Sequence, residues 1–133
     1  MIVGIGIDII DIGRIEKVFG RSGERFIRRV YTSTEIAYCT GKALSMQHFA
    51  ARFAAKEAVF KALGTGWSRG IGWRDVEICN NKSGLPQVTL RGKAEEVFQE
   101  QGGGKIFLSI SHTDQMAIAQ AVWTQSDVRH PFP

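Results

Sequence analysis

Apolar and polar positions change period several times along this chain, and each change marks an element. Residues 2–10 alternate: Val3, Ile5, Ile7 and Ile9 fall on one side of an extended strand, and Ile2, Gly4, Gly6, Asp8 and Ile10 on the other. The isoleucine side is the expected core face. The other side sets a carboxylate beside two positions without side chains. Asp11 can cap a following helix, and the period then lengthens: Ile12, Ile15, Val18 and Phe19 form a helical stripe. Gly20 and Gly23 interrupt it, and Phe26, Ile27 and Val30 turn inward on a second short helix. Thr32 or Ser33 caps a third, ending near Gly41.

The clearest helix runs from Ser45 to Leu63, with Gly64 as its C-cap. Met46, Phe49, Phe53, Phe60 and Leu63 form one stripe, and alanines cover most of the opposite side. A helix apolar nearly all round is normally buried, so its few charges, Arg52, Lys56, Glu57 and Lys61, stand out. After a Gly/Trp-rich loop, strands are expected over Asp75–Cys79 and Gln87–Arg91, with a turn between. A helix over 92–101 is stopped by Gly102, Gly103 and Gly104. Lys105–Ser111, with Ile106, Leu108 and Ile110 on one face, pairs with Met116–Trp123. This order predicts an α+β fold with a mainly antiparallel sheet and one long buried helix. One domain over 1–133 is expected, with 126–133 a loose tail.

The chain's 133 residues are 44% hydrophobic and 23% charged, a globular balance that excludes intrinsic disorder. The longest mostly apolar run, Met1–Ile10, is far short of the roughly 20 residues of a membrane span, and it lacks the flanks of a secretory signal. Cys39 and Cys79 match no metal spacing and no disulfide framework, which points to the cytoplasm. The net charge of +4 is concentrated. Between Arg14 and Arg29 stand six basic and two acidic residues, enough to account for all of it. This run is either a solvated helix face or a docking surface for an acidic partner. No nucleic-acid motif accompanies it.

Three places offer chemistry. Asp8 lies inside an apolar strand, where a carboxylate must be paired or bind a metal. It is a metal ligand, or it is tied to an arginine or a backbone amide. Glu57 and Lys61 stand one helical turn apart, as an ordinary ion pair or as part of a site. Carboxylates from two elements with a lysine alongside suit Mg²⁺, which completes its shell with phosphate and water. The third place is Ser111-His112-Thr113, where a lone histidine can equally be structural. No triad spacing, P-loop or dinucleotide fingerprint is present.

Taken in order, these segments resemble the holo-(acyl-carrier-protein) synthase family, the small stand-alone phosphopantetheinyl transferases. Gly4-Ile5-Gly6-Ile7-Asp8-Ile9-Ile10-Asp11-Ile12-Gly13-Arg14-Ile15-Glu16 resembles the N-terminal motif. Arg52-Phe53-Ala54-Ala55-Lys56-Glu57-Ala58-Val59-Phe60-Lys61-Ala62-Leu63-Gly64-Thr65-Gly66 resembles the central one, and Ser109-Ile110-Ser111-His112-Thr113 the C-terminal one. The resemblance implies the phosphopantetheinyl transferase fold and Mg²⁺-dependent transfer of phosphopantetheine from coenzyme A to a serine of an apo acyl carrier protein, within fatty acid biosynthesis. It assigns Asp8 and Glu57 to Mg²⁺ (or Mn²⁺), Lys61 to the phosphate, and Glu57 or a metal-bound water to the serine proton. It assigns coenzyme A to Arg52, Lys61, Gly64, Thr65, Gly66, Ser111, His112 and Thr113, and docking of the acidic carrier to Arg14, Arg21, Arg25, Phe26 and Arg28. It also implies a homotrimer with shared active sites. The motifs and the apolar runs lead to the expectation of no nucleic-acid or membrane partner. The competing expectation is a coenzyme A or nucleotide-binding module without turnover.

Overall fold

The computed structural model describes residues 1–64 and 70–125. Thr65, Gly66 and the expected tail over 126–133 lie outside the described residues. The elements are β1 (Ile2–Asp11), α1 (Ile12–Val30), α2 (Ser33–Thr40), α3 (Ser45–Leu63), β2 (Val76–Asn80), β3 (Pro86–Leu90), α4 (Gly92–Glu100), β4 (Lys105–His112) and β5 (Met116–Thr124). They build two antiparallel sheets, three-stranded β1-β5-β4 and two-stranded β2-β3. The α+β class and the mainly antiparallel pairing are as expected from the sequence.

Local chemistry sets the helix ends. The Asp11 side chain accepts from the Arg14 N–H at 3.3 Å, at the start of α1. The two short helices expected up to Val30 are the two arms of α1, which meet at Ser22, where a φ of −146° and ψ of 39° break the helical run. Thr32 and Glu35 close a capping box at α2. Gly64 ends α3 at φ 77°, a conformation that favours glycine. Asp75 belongs to a 3₁₀ turn ahead of β2 rather than to the strand, because its carboxylate accepts from the Gly72 N–H at 2.9 Å.

The face of β1 expected to be core is the outer one. Ile5, Ile7 and Ile9 are 56–64% exposed, while Gly6 is buried and Ile10 half-buried. The reason is how closely α3 approaches. A Cβ on Gly4 would lie 2.0 Å from the Ala62 carbonyl oxygen, and one on Gly6 would lie 1.9 Å from that of Ala58. Only glycine lets helix backbone rest on strand backbone there. The neighbouring strand supplies equally small residues, Ala117, Ala119 and Ala121, paired with Ile10, Asp8 and Gly6. The alanine-rich side of α3 is therefore spent inside the chain, with Ala54, Ala55 and Ala58 fully buried against this sheet. Fully burying Phe49, Val59 and Leu63 of the same helix contributes roughly 1.5–3 kcal/mol each.

A polar knot fixes α3 from its other side. Lys56 is fully buried and pairs with Glu35 at 2.7 Å. Its ammonium also donates to the carbonyls of Trp73, at 3.2 Å, and Val76. Glu35 in turn accepts from the N–H groups of Thr32 and Ile78, each at 2.8 Å. Thr32 donates to Glu77 at 2.6 Å, and Arg91 donates to Glu77 at 3.0 Å. These contacts tie α2, α3 and β2 to the N-terminus of α4.

Candidate active site

The close β1–α3 contact brings Asp8 beside Lys61. The Lys61 ammonium donates to the Ile7 carbonyl at 2.8 Å and to Asp8 Oδ1 at 3.3 Å. Asp8 is thus paired with a lysine rather than an arginine or a backbone amide. Lys61 is not simply half of a helical pair, since it bridges to a strand while its charge also acts on Glu57. An ammonium has three donors, and among the described residues two of them are used. The Asp8 side chain is 17% exposed and that of Lys61 51%, so the carboxylate is sheltered and the cation open. Burial first, then the charge of Asp8, raise the Glu57 pKa above the usual carboxylate value, with Lys61 opposing.

That like-charge cost is what a divalent cation relieves. Asp8 and Glu57 offer hard oxygen donors from two elements and fit Mg²⁺ or Mn²⁺. Among the described residues, no cluster of three or more His, Cys, Asp or Glu makes a fuller cage, and Mg²⁺ ordinarily completes its shell with substrate phosphate and water.

The carboxylates open into a cleft of about 430 Å³ lined by Asp8, Glu57, Arg14, Val18, Phe26 and Phe53, among others. Two of the expected docking residues, Arg14 and Phe26, therefore share a cavity with the acidic pair. Arg21, Arg25 and Arg28 lie outside it, exposed along α1. The contact of Arg28 with Glu24, at 3.8 Å between largely exposed side chains, constrains it little.

The expected coenzyme A residues do not form one group. Arg52 and Lys61 are nine positions apart, which places them about 180° apart around α3. Arg52 is buried, with its guanidinium 3.9 Å from the centre of the Tyr38 ring. His112 pairs with Ala117 on the helix-facing side of β4, while Ser111 pairs with Ile118 on the outer isoleucine face. The Thr113 hydroxyl oxygen accepts from the N–H groups of Gln115, at 3.2 Å, and Met116, at 3.1 Å, so it shapes the β4–β5 turn. Gly64 is exposed at the end of α3. Lys42, Tyr38 and His48 gather with Arg52 and His112, a grouping between distant segments that no local pattern announces.

The model of the 4'-phosphopantetheinyl transferase superfamily matches residues 4–121. The chain belongs to this superfamily. Among similar proteins, the holo-(acyl-carrier-protein) synthase of Geotalea daltonii is 50% identical over 92% of this chain and 98% of that protein. The crystal structure of the Neisseria meningitidis holo-(acyl-carrier-protein) synthase matches this transferase fold with a TM-score of 0.87 at 31% identity, covering 94% of this chain and all of that one. That of the Helicobacter pylori synthase in complex with coenzyme A matches at 0.79 and 34% identity, covering 90% and 99%. Within this transferase, no helix among the described residues is long and apolar enough to cross a membrane.

Proposed function

We propose that this protein transfers phosphopantetheine from coenzyme A to a serine hydroxyl of an apo acyl carrier protein, leaving adenosine 3',5'-bisphosphate. The observation that carries this reading is the cleft joining Asp8 and Glu57 to Arg14 and Phe26, with Lys61 alongside. In this reading a phosphate-handling centre and a basic docking helix share the cleft. Coenzyme A bound in the similar Helicobacter pylori enzyme supports the choice of donor.

In the reaction, the serine oxygen attacks the phosphorus that carries the pantetheine arm, and the pyrophosphate bridge breaks. Lys61 donates an N–H to a non-bridging oxygen, where charge accumulates. Glu57 takes the serine proton; burial and the charge of Asp8 raise its pKa, which makes it a stronger base than an ordinary carboxylate. Asp8 holds Lys61 in place and, with Glu57, would hold Mg²⁺ or Mn²⁺, which when bound neutralises the developing pyrophosphate charge. Arg14, Arg21, Arg25 and Arg28 attract the acidic carrier, and Phe26 gives it an apolar seat.

The assembly in this reading is a homotrimer. Ile5, Ile7, Ile9 and Phe107 form an exposed apolar face on the β1-β5-β4 sheet, of the kind monomers rarely leave open. Arg52 and His112, turned away from Lys61, would serve the site of a neighbouring copy. Both cysteines are free, in keeping with a reducing cytoplasm.

The test incubates the purified protein with coenzyme A, Mg²⁺ and apo carrier protein and follows the carrier by mass spectrometry. A gain of one phosphopantetheine is expected. Coenzyme A binding without any gain would reduce the protein to a binding module. Sedimentation should give a mass near three chains, and a fully active monomer would overturn the shared sites.

A further inference from the structure

Most of the side chains that α3 buries are alanine: Ala50, Ala51, Ala54, Ala55, Ala58 and Ala62. Side chains this small give a smooth surface, and apolar burial has no direction. Burial by itself therefore barely separates one rotation of the helix from the next. The glycine contact with β1 sets how near the helix comes. The Glu35–Lys56 pair, 2.7 Å apart with both side chains fully buried, holds it from another side. Among the described residues, the other partners of Lys56 are the carbonyls of Trp73 and Val76, and Glu35 accepts from the N–H groups of Thr32 and Ile78. All four are main-chain groups, which have no rotamers to yield, so the pair is anchored where it cannot swing. A buried ion pair gains little stability over an apolar pair of similar volume. What this one adds is direction.

Two residues of the candidate active site stand on the same helix. Glu57 follows Lys56 by one position, about 100° around the axis, and Lys61 follows it by five. With its side chains a helix has a radius of about 5–6 Å, so a rotation of ~10° carries the Glu57 carboxylate by about 1 Å. The contact of Lys61 with Asp8, at 3.3 Å, already lies at the long end of hydrogen bonding and has no slack to absorb such a shift. A misplacement of about 1 Å caused far from the chemistry can cost on the order of 10²-fold in rate.

We propose that Glu35 and Lys56 are positioning residues for the transfer: by pinning the rotation of α3 through main-chain anchors on α2, the 3₁₀ turn and β2, they hold Glu57 and Lys61 in register with Asp8. The proposal rests on the transfer reading of that site. Neither residue touches a substrate, and both act through the helix.

The test varies the length of the tether and keeps its charges. Glu35→Asp shortens it by one methylene, and Lys56→Arg lengthens it. At a temperature where circular dichroism shows the variant folded, kcat should fall roughly 10- to 10²-fold. KM for the carrier should stay nearly unchanged, because docking belongs to α1. Affinity for Mn²⁺, read by electron paramagnetic resonance without substrate, should fall several-fold, and the amide NMR signals of Asp8, Glu57 and Lys61 should move in the metal-free variant. Val97→Ala, a cavity in the buried face of α4 outside the knot, is the control. It should lower the melting temperature and leave kcat as it was. Unchanged kcat and Mn²⁺ affinity in a folded tether variant, or an equal loss of kcat in Val97→Ala, would overturn the proposal. Failure of both tether variants to fold would make the pair a condition of folding and overturn its separate role. Carrier modification by the unaltered protein, with tether variants that behave like it, would leave the transfer reading standing and remove only this one. No carrier modification, with Mn²⁺ affinity and amide signals that still follow the tether, would remove the transfer reading and leave the pinning of α3 in place.

Discussion

Two lysines on α3, one and a half turns apart, end in opposite surroundings. Lys56 is sealed in the knot between α2, α3 and β2, with Glu35 and the carbonyls of Trp73 and Val76 filling its three donors. Lys61 is half-exposed and, among the described residues, uses two donors, on Ile7 and Asp8, while its charge also acts on Glu57. The first arrangement is complete without any ligand and fixes the position of the helix. A charge with satisfied partners holds structure, and a half-exposed charge at the edge of a cleft is available for chemistry.

The largest expected effect breaks the knot. Lys56→Met leaves the Glu35 carboxylate buried without its cation and should cost about 3–5 kcal/mol in denaturant unfolding. A loss below about 1 kcal/mol would show that the knot does not fix the helix. Lys61→Ala should do the opposite. Turnover should fall roughly 10²–10³-fold, as when one transition-state donor is removed, while stability changes by about 1 kcal/mol or less. Added Mg²⁺ should not restore that loss, whereas EDTA should abolish wild-type activity and Mg²⁺ or Mn²⁺ restore it. Near-normal turnover of Lys61→Ala would return Lys61 to a structural role.

A smaller effect belongs to the helix beside the cleft. Arg21→Glu with Arg25→Glu should raise KM for the carrier several-fold and leave KM for coenzyme A nearly unchanged. The wild-type carrier KM should worsen with salt, because exposed charge is screened over about 10 Å at 0.1 M. Equal changes in both KM values would count against a docking face.

The smallest effect on stability belongs to Glu57. Its pKa is higher folded than unfolded, so between those values the folded state binds more protons. Stability of the metal-free protein should therefore fall slightly as pH rises through that window. Glu57→Gln should flatten the dependence and stabilise the fold a little while crippling turnover. Thermal melts against pH, with and without Mg²⁺, measure both. A dependence unchanged in the variant would assign the titration elsewhere.

Local pattern carried much of this in advance. The extent of α3 and its Gly64 cap, the Asp11 cap, and the inward set Ile106, Leu108 and Ile110 follow from period and capping chemistry, which act within one turn or one strand. Asp8, Glu57 and Lys61 stood out because a charge in an apolar run is costly wherever that run folds. The inner side of β1 was misread for a reason of the same kind. Side-chain hydrophobicity favours Ile5, Ile7 and Ile9, but Gly4 and Gly6 decide by being absent volume, and absent volume has meaning only once α3 lies against it.

By itself, then, the chain determines its elements, their order and the residues able to act as acid, base or cation. The tertiary structure alone decides which of those groups meet. It pairs Lys61 with Asp8, commits Lys56 to Glu35, separates Ser111 from His112 and gathers His48, Arg52 and Lys42 around Tyr38. Each of these depends on a distance between segments far apart in sequence, set by how closely backbones can approach, and no local period encodes that distance.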